Sequence, residues 1–272
     1  VLWARGQYVL GLSYLKRWLG DLAENARRAI AAFEAAQTVL TREAYPTEWA
    51  AIERGRGLVY LEGLIEPKDE LLDYGIVCLR AALQVYTRAA FPYDWASLHN
   101  ALGVAYGHRI RGNRAANLDR AVAHFRLAGR MWTREAYPGN WTLVMRNLGE
   151  AYSERIRGDR RVNQELGKAC LHAVFDDEVR ERYPYDWARA HFLVAAIYRD
   201  RLTGSRVENL HSAIAHYEAS LEVYTPGEFE QDRGLALAAL ADARACLDAQ
   251  AAAEPITVRL SHIDKPVLLD GG

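Results

Sequence analysis

A period of 46 residues governs this chain. The segments Tyr45-Pro-Thr-Glu-Trp49, Phe91-Pro-Tyr-Asp-Trp95, Tyr137-Pro-Gly-Asn-Trp141 and Tyr183-Pro-Tyr-Asp-Trp187 recur at that spacing. One step back from Trp49 reaches Trp3; one step on from Tyr183 reaches Phe229, where the tryptophan position becomes Arg233. A second column runs Gly11, Gly57, Gly103, Gly149, Ala195 and Ala241, and a third runs Tyr14, Tyr60, Tyr106, Tyr152, Tyr198 and Arg244. Columns that share one period mark a repeat array, in which each unit buries its apolar face against its neighbours and the array is read as one structure.

Each repeat reads as two helices. After the tryptophan, Trp95, Leu98, Leu102, Ala105, Tyr106 and Ile110 recur at helical spacing. A polar turn, Arg111-Gly-Asn-Arg-Ala-Ala-Asn117, separates them from Leu118, Ala121, Val122, Phe125 and Ala128, in a helix expected to run to Trp132 and stop before Pro138. Asn25, Asn117, Asn163 and Asn209 share a column at the start of the second helix, where a short polar side chain is expected to cap free N–H groups. Mid-helix glycine costs about 0.5–1 kcal/mol relative to alanine, so the glycine column implies close approach of the partner helix. The second helix offers its own small column, Ala29, Gly75, Ala121, Gly167 and Ala213.

Leu102, Gly103, Tyr106, Ala121, Phe125 and Ala128 resemble the leucine–glycine, tyrosine, alanine, aromatic, alanine series of tetratricopeptide repeats. The units here are longer than that family's about 34 residues. The Thr-Arg-Glu-Ala-Tyr-Pro and Arg-Ile-Arg-Gly segments resemble the repeats that accompany caspase-like (CHAT) protease domains in bacteria. The resemblance implies an all-α, right-handed α-solenoid of stacked helix-turn-helix repeats with about eleven helices. The solenoid is expected over 1–254, with repeats near 3–48, 49–94, 95–140, 141–186 and 187–232 and a capping helix at 233–251. Pro255 ends the helical run, and 255–272, with Ile256–Leu260 and Val267–Leu269, reads as an extended tail or linker.

Lys and Arg number 34 against 35 Asp and Glu, so no global field draws the chain to a polyanion or an anionic membrane. No apolar run reaches the ~20 residues a membrane helix needs. Three scattered cysteines, Cys78, Cys170 and Cys246, fit a reducing cytoplasm better than a disulfide framework. The chain opens on Val1 with no signal peptide, which reads as a piece of a longer protein.

No catalytic motif emerges: there is no Gly-x-Ser-x-Gly, phosphate loop or His-Glu-x-x-His, and no cofactor is expected. Cys78, His124, Cys170 and His216 share one column, but equivalent positions on stacked helices lie ~8–10 Å apart. A zinc ligand shell needs ~2.0–2.3 Å bonds, so packing, not metal, is expected there. The tryptophan column is likewise expected to pack between repeats. Asp176, Asp177 and Glu178 break the apolar pattern of the fourth repeat, which a one-residue slip onto Phe175 and Val179 would repair.

In tetratricopeptide arrays the first helices line a concave groove that takes a peptide. Carried over by column, the resemblance marks Tyr8, Arg54, Asn100, Arg146 and Phe192, then Lys16, Glu62, His108, Glu154 and Asp200. A protein or peptide partner in that groove is the leading expectation. The alternative is nucleic acid or an acidic partner along the turn arginines: Arg109, Arg111 and Arg114, then Arg155, Arg157 and Arg160, then Arg201 and Arg206. Against that alternative, the turn arginines are expected to pair with Glu48, Asp94 and Asp186, the acids before each tryptophan. A structural spacer is the third reading; oligomeric state is left open.

Overall fold

A computed structural model describes residues 1–17 and 19–253; the expected tail at 255–272 lies outside the described residues. Twelve helices, and no strand, occur among them: α1 (Leu2–Leu15), α2 (Leu22–Gln37), α3 (Pro46–Leu61), α4 (Lys68–Ala82), α5 (Pro92–His108), α6 (Arg114–Gly129), α7 (Pro138–Glu154), α8 (Arg160–His172), α9 (Asp177–Arg182), α10 (Pro184–Arg199), α11 (Arg206–Leu221) and α12 (Glu230–Ala253). The chain divides into two compact bodies, Val1–Ala190 and the part from His191 onward.

In the first body α1/α2, α3/α4, α5/α6 and α7/α8 form hairpins, and each second helix packs on the first helix of the next hairpin. Successive first helices also touch: α1 with α3, α3 with α5, and α5 with α7. The first helices therefore form the close-set side of this stack. The second body has its own core, in which Ala195, Ala213, Tyr217, Leu240 and Ala243 meet. Its last helix, expected at 233–251, starts earlier, at Glu230; there Arg244 pairs with Glu218 at 2.6 Å and Arg233 donates to the Tyr224 carbonyl.

Local chemistry explains the boundaries and corrects two expectations. Pro46, Pro92 and Pro138 begin helices, since a first-turn position needs no N–H and wants proline's φ. Pro138 thus opens α7; α6 has already ended at Gly129, and Trp132 is buried in the turn that follows. The asparagine column does not cap N–H groups. Asp21, Asn113, Asp159 and Ser205, four residues earlier, do so. The asparagines instead donate backwards to turn carbonyls: Asn117 Nδ2 to Arg109 and Arg111 at 3.1 and 3.0 Å, Asn163 Nδ2 to Arg157 at 2.9 Å, and Asn209 Nδ2 to Thr203 at 2.8 Å. They staple the turn to the helix it enters.

The glycine column meets two kinds of partner. A Cβ at Gly103 would sit 2.5 Å from the Phe125 ring; at Gly149 it would sit 2.5 Å from Leu171 Cγ and 3.0 Å from the Gly167 carbonyl oxygen. The pattern alternates along the chain. Ala29/Phe33, Ala121/Phe125 and Ala213/Tyr217 share one form, Gly75/Leu79 and Gly167/Leu171 the other. Where the second helix carries glycine and leucine, the two backbones approach each other; where it carries alanine and an aromatic, the ring fills the gap.

The short helix α9, beyond the expected eleven, lies where the fourth repeat breaks pattern. Leu40, Tyr86, Trp132 and Tyr224 are buried, and the same column puts Glu178 at that place in the fourth repeat. The buried residue there is Val179, one position on, so the apolar face slips by one; Phe175 is half-buried. Asp176 caps α9 by accepting from the Val179 N–H at 3.0 Å and pairs with Arg134 at 2.6 Å. Asp177 is exposed in the first turn of α9, and Glu178 pairs with Arg182 at 3.2 Å on the surface.

Candidate interaction site

The inner row of the expected groove is largely committed to holding repeats together. Arg54 pairs with Asp94 at 3.0 Å and Arg146 with Asp186 at 2.9 Å, each acid standing just before the next tryptophan. The same clasp recurs as Arg5–Glu48 at 2.8 Å. Arg146 also donates to Asn147 Oδ1 at 3.0 Å, and Asn147 Nδ2 donates to Asn100 Oδ1 at 3.1 Å. The Arg146 and Asp186 side chains are only 16% and 20% exposed. Burial pushes the Asp186 carboxyl up, against the pull of Arg146. Tyr8 rests on Phe33, and in the second body Phe192 rests edge-on against Tyr217.

The outer row is exposed: Lys16, Glu62, His108, Glu154 and Asp200. Glu154 pairs with Arg114 at 2.6 Å, and Asp200 with Arg199 at 3.0 Å. Glu62 and His108 are brought together at one open cavity of about 550 Å³ among α3, α4 and α5. Leu58, Leu61, Leu72 and Val104 give it apolar walls, with Lys68 and Asp69 also at its edge.

Arg109, Arg111, Arg114, Arg155 and Arg157 have acidic partners, though not those expected. Arg109 and Arg111 reach Asp73 at 2.6 and 3.8 Å, and Arg155 and Arg157 reach Asp119 at 2.8 and 3.1 Å. Burial alone would push the Asp119 carboxyl up, but hydrogen bonds from Arg155 and Arg157 leave it below the ordinary carboxylate range. The acids before the tryptophans are engaged by the first-helix arginines instead. Arg114 and Arg206 donate to the carbonyls of Gly107 and Arg199, and Arg201 reaches Asn209 Oδ1 at 3.4 Å. Arg160 opens α8 at the turn and is exposed.

The tryptophans fill intermediate places. Trp187 is buried, Trp49, Trp95 and Trp141 are half-buried, and Trp3 is 59% exposed, against the expectation that the whole column packs. An arginine seven residues earlier covers each of four rings, Arg42 over Trp49, Arg88 over Trp95, Arg134 over Trp141 and Arg180 over Trp187, at 4.9–6.0 Å.

The cysteine–histidine column does more than pack. Three of its four members, Cys78, His124 and His216, face a first-helix residue 25 positions earlier. His99 and His124 share an Nδ1–Nδ1 hydrogen bond of 2.8 Å, and His191 and His216 one of 2.9 Å. Cys78 meets Glu53, and burial, with that carboxylate, pushes the thiol up to about 12; burial pushes Cys170 to about 11. Both thiols therefore stay protonated at neutral pH and are poor nucleophiles. Burial likewise lowers His99 and His124 to about 4. No group of three or more His, Cys, Asp or Glu arranged to hold a metal ion occurs among the described residues. Reading one column at a time missed His99, His191 and Glu53; the offset of 25 between columns was the signal. No helix among the described residues is long and apolar enough to cross a membrane. Comparison with protein-family models, with curated proteins and with solved structures returns no match.

Proposed function

We propose that this chain is a protein-interaction module that receives a peptide or protein segment on its first-helix side. The observation that carries this reading is the cavity among α3, α4 and α5, where Leu58, Leu61, Leu72 and Val104 form apolar walls beside Glu62 and His108. An anchor side chain could fill it while the rim, which carries both signs of charge, selects polar neighbours. The pairing of Arg109, Arg111, Arg155 and Arg157 with Asp73 and Asp119 supports a protein over a polyanion, since the two carboxylates already offset half the charge of those four guanidinium groups. The resemblance to tetratricopeptide repeats supports the same reading. The likeness to repeats beside CHAT proteases extends it to a docking or regulatory arm of a larger bacterial protein working in the cytoplasm.

The test is selection of binders from a displayed random-peptide library, followed by titration calorimetry. Val104→Arg, which fills the cavity, should weaken the selected peptides at least about tenfold with helicity unchanged. Arg111→Ala with Arg157→Ala should leave them within about threefold, as rim charges contribute little. Peptides indifferent to Val104→Arg but lost with the turn arginines, with affinity falling steeply in salt, would move the site to the turn edge.

A further inference from the structure

A second cavity, of about 690 Å³, opens among α4, α5 and α6. Ile76 and Leu102 contribute apolar lining, and its polar lining is Asp73, Arg80, Tyr106, Arg109, Arg120 and His124. Three arginines against one aspartate leave a net formal charge of +2. Arg109 is the one neutralised, by Asp73 at 2.6 Å. Neither Arg80 nor Arg120 has an ion-pair partner among the described residues, and both are exposed. Arg120 is held in place over the Tyr106 ring, 5.5 Å from its centroid, and that ring stacks in parallel on His124. The His124 Nδ1 is engaged by His99 at 2.8 Å, so its Nε2 is the ring's remaining polar atom.

We propose that this cavity is a binding site for a single phosphate monoester, clasped between Arg80 and Arg120 with the His124 Nε2–H as a neutral donor. Guanidinium groups bind phosphate oxygens bidentately, and two of them here have no other anion to satisfy. The proton shared at Nδ1 fits this role: with His99 donating, His124 carries its own proton on Nε2. Val77, in the lining and 63% exposed, and Tyr74, 61% exposed and three residues before it on α4, offer apolar surface for the stem that bears the phosphate.

The repeat itself argues for one anion rather than a polymer. A nucleic-acid track would need the arginine pair at equivalent places in successive repeats. The Arg80 and Arg120 positions become Glu34 and Tyr74 one repeat earlier, Arg126 and Leu166 one repeat later, and His172 and Ser212 after that. The pair occurs once.

Titration of the whole chain with phenyl phosphate, inorganic phosphate, a phosphotyrosine peptide and its unphosphorylated form tests the site, with helicity checked for each variant. Saturable binding of phenyl phosphate is expected, weakened about tenfold or more by Arg80→Gln and by Arg120→Gln, as loss of a charge-assisted hydrogen bond implies. Arg126→Gln, in the Arg80 column but without a second arginine beside it, should change nothing. A phosphopeptide that binds more tightly than phenyl phosphate identifies a protein-borne phosphate; equal affinities identify a small phosphate ester. The proposal falls if no phosphate compound binds at millimolar concentration, if both glutamine variants bind as the parent does, or if the unphosphorylated peptide binds equally well. Because Val104 lines the other cavity and not this one, Val104→Arg should leave phenyl phosphate binding intact, which separates this site from the peptide cavity.

Discussion

Gly149 shows how one atom can decide a hairpin. A Cβ there would stand 2.5 Å from Leu171 Cγ and 3.0 Å from the Gly167 carbonyl oxygen, and a backbone atom cannot swing aside as a side chain can. Alanine would be the better helix former by about 1 kcal/mol, yet the overpacking it brings costs about 1–3 kcal/mol. Gly149→Ala is therefore expected to lower stability despite improving helix propensity, as urea unfolding would show. Gly107, with nothing within 4 Å of a built Cβ, is the control: Gly107→Ala should be neutral or stabilising.

Between elements, arginine–acid clasps tie α1 to the start of α3, α3 to the start of α5, and α7 to the start of α10. Arg146 on α7 holds Asp186 at the start of α10 at 2.9 Å with both side chains mostly buried. Removing one member of such a pair strands the other, at a cost of about 3 kcal/mol, whereas removing both costs less than the sum. A double-mutant cycle on Arg146→Ala and Asp186→Ala should give a clear favourable coupling by chemical unfolding. Additive losses would mean that the arginine acts through something other than the clasp. The result bears on function, because Arg146 is the groove residue that sequence alone would have offered to a partner's carboxylate.

For the molecule as a whole, the buried histidine pair sets a pH dependence. Burial lowers His99 and His124 from the ordinary 6.5 to about 4. In that interval the unfolded chain binds protons that the folded chain does not, so stability is full above about 6.5 and falls as pH drops toward 4. Melting temperature should decline over this range, and the decline should be shallower in the His99→Gln, His124→Gln double variant. Paired carboxylates such as Asp119 lose their contribution only at lower pH, since their ordinary values already lie near 4. An unchanged slope in the double variant would show that the pair is not kept neutral by the fold.

The residues alone determined that the chain is helical, where the hairpins repeat, that glycine marks the closest approach, and that the apolar face slips at Val179. Those features are local or strictly periodic: helix spacing, proline at a helix start and a small residue every 46 positions can be read without coordinates. Only the tertiary structure decided which arginine meets which acid. The turn arginines were expected at Glu48, Asp94 and Asp186 and instead meet Asp73 and Asp119, a choice that depends on how neighbouring helices cross. It also decided that the asparagine column faces back into the turn, that His99 stands opposite His124, and that Arg80 and Arg120 share one cavity. The histidine and arginine pairs bridge separate helices, and a contact across a helix crossing is fixed by rotation about both axes, which the order of residues along either helix does not contain.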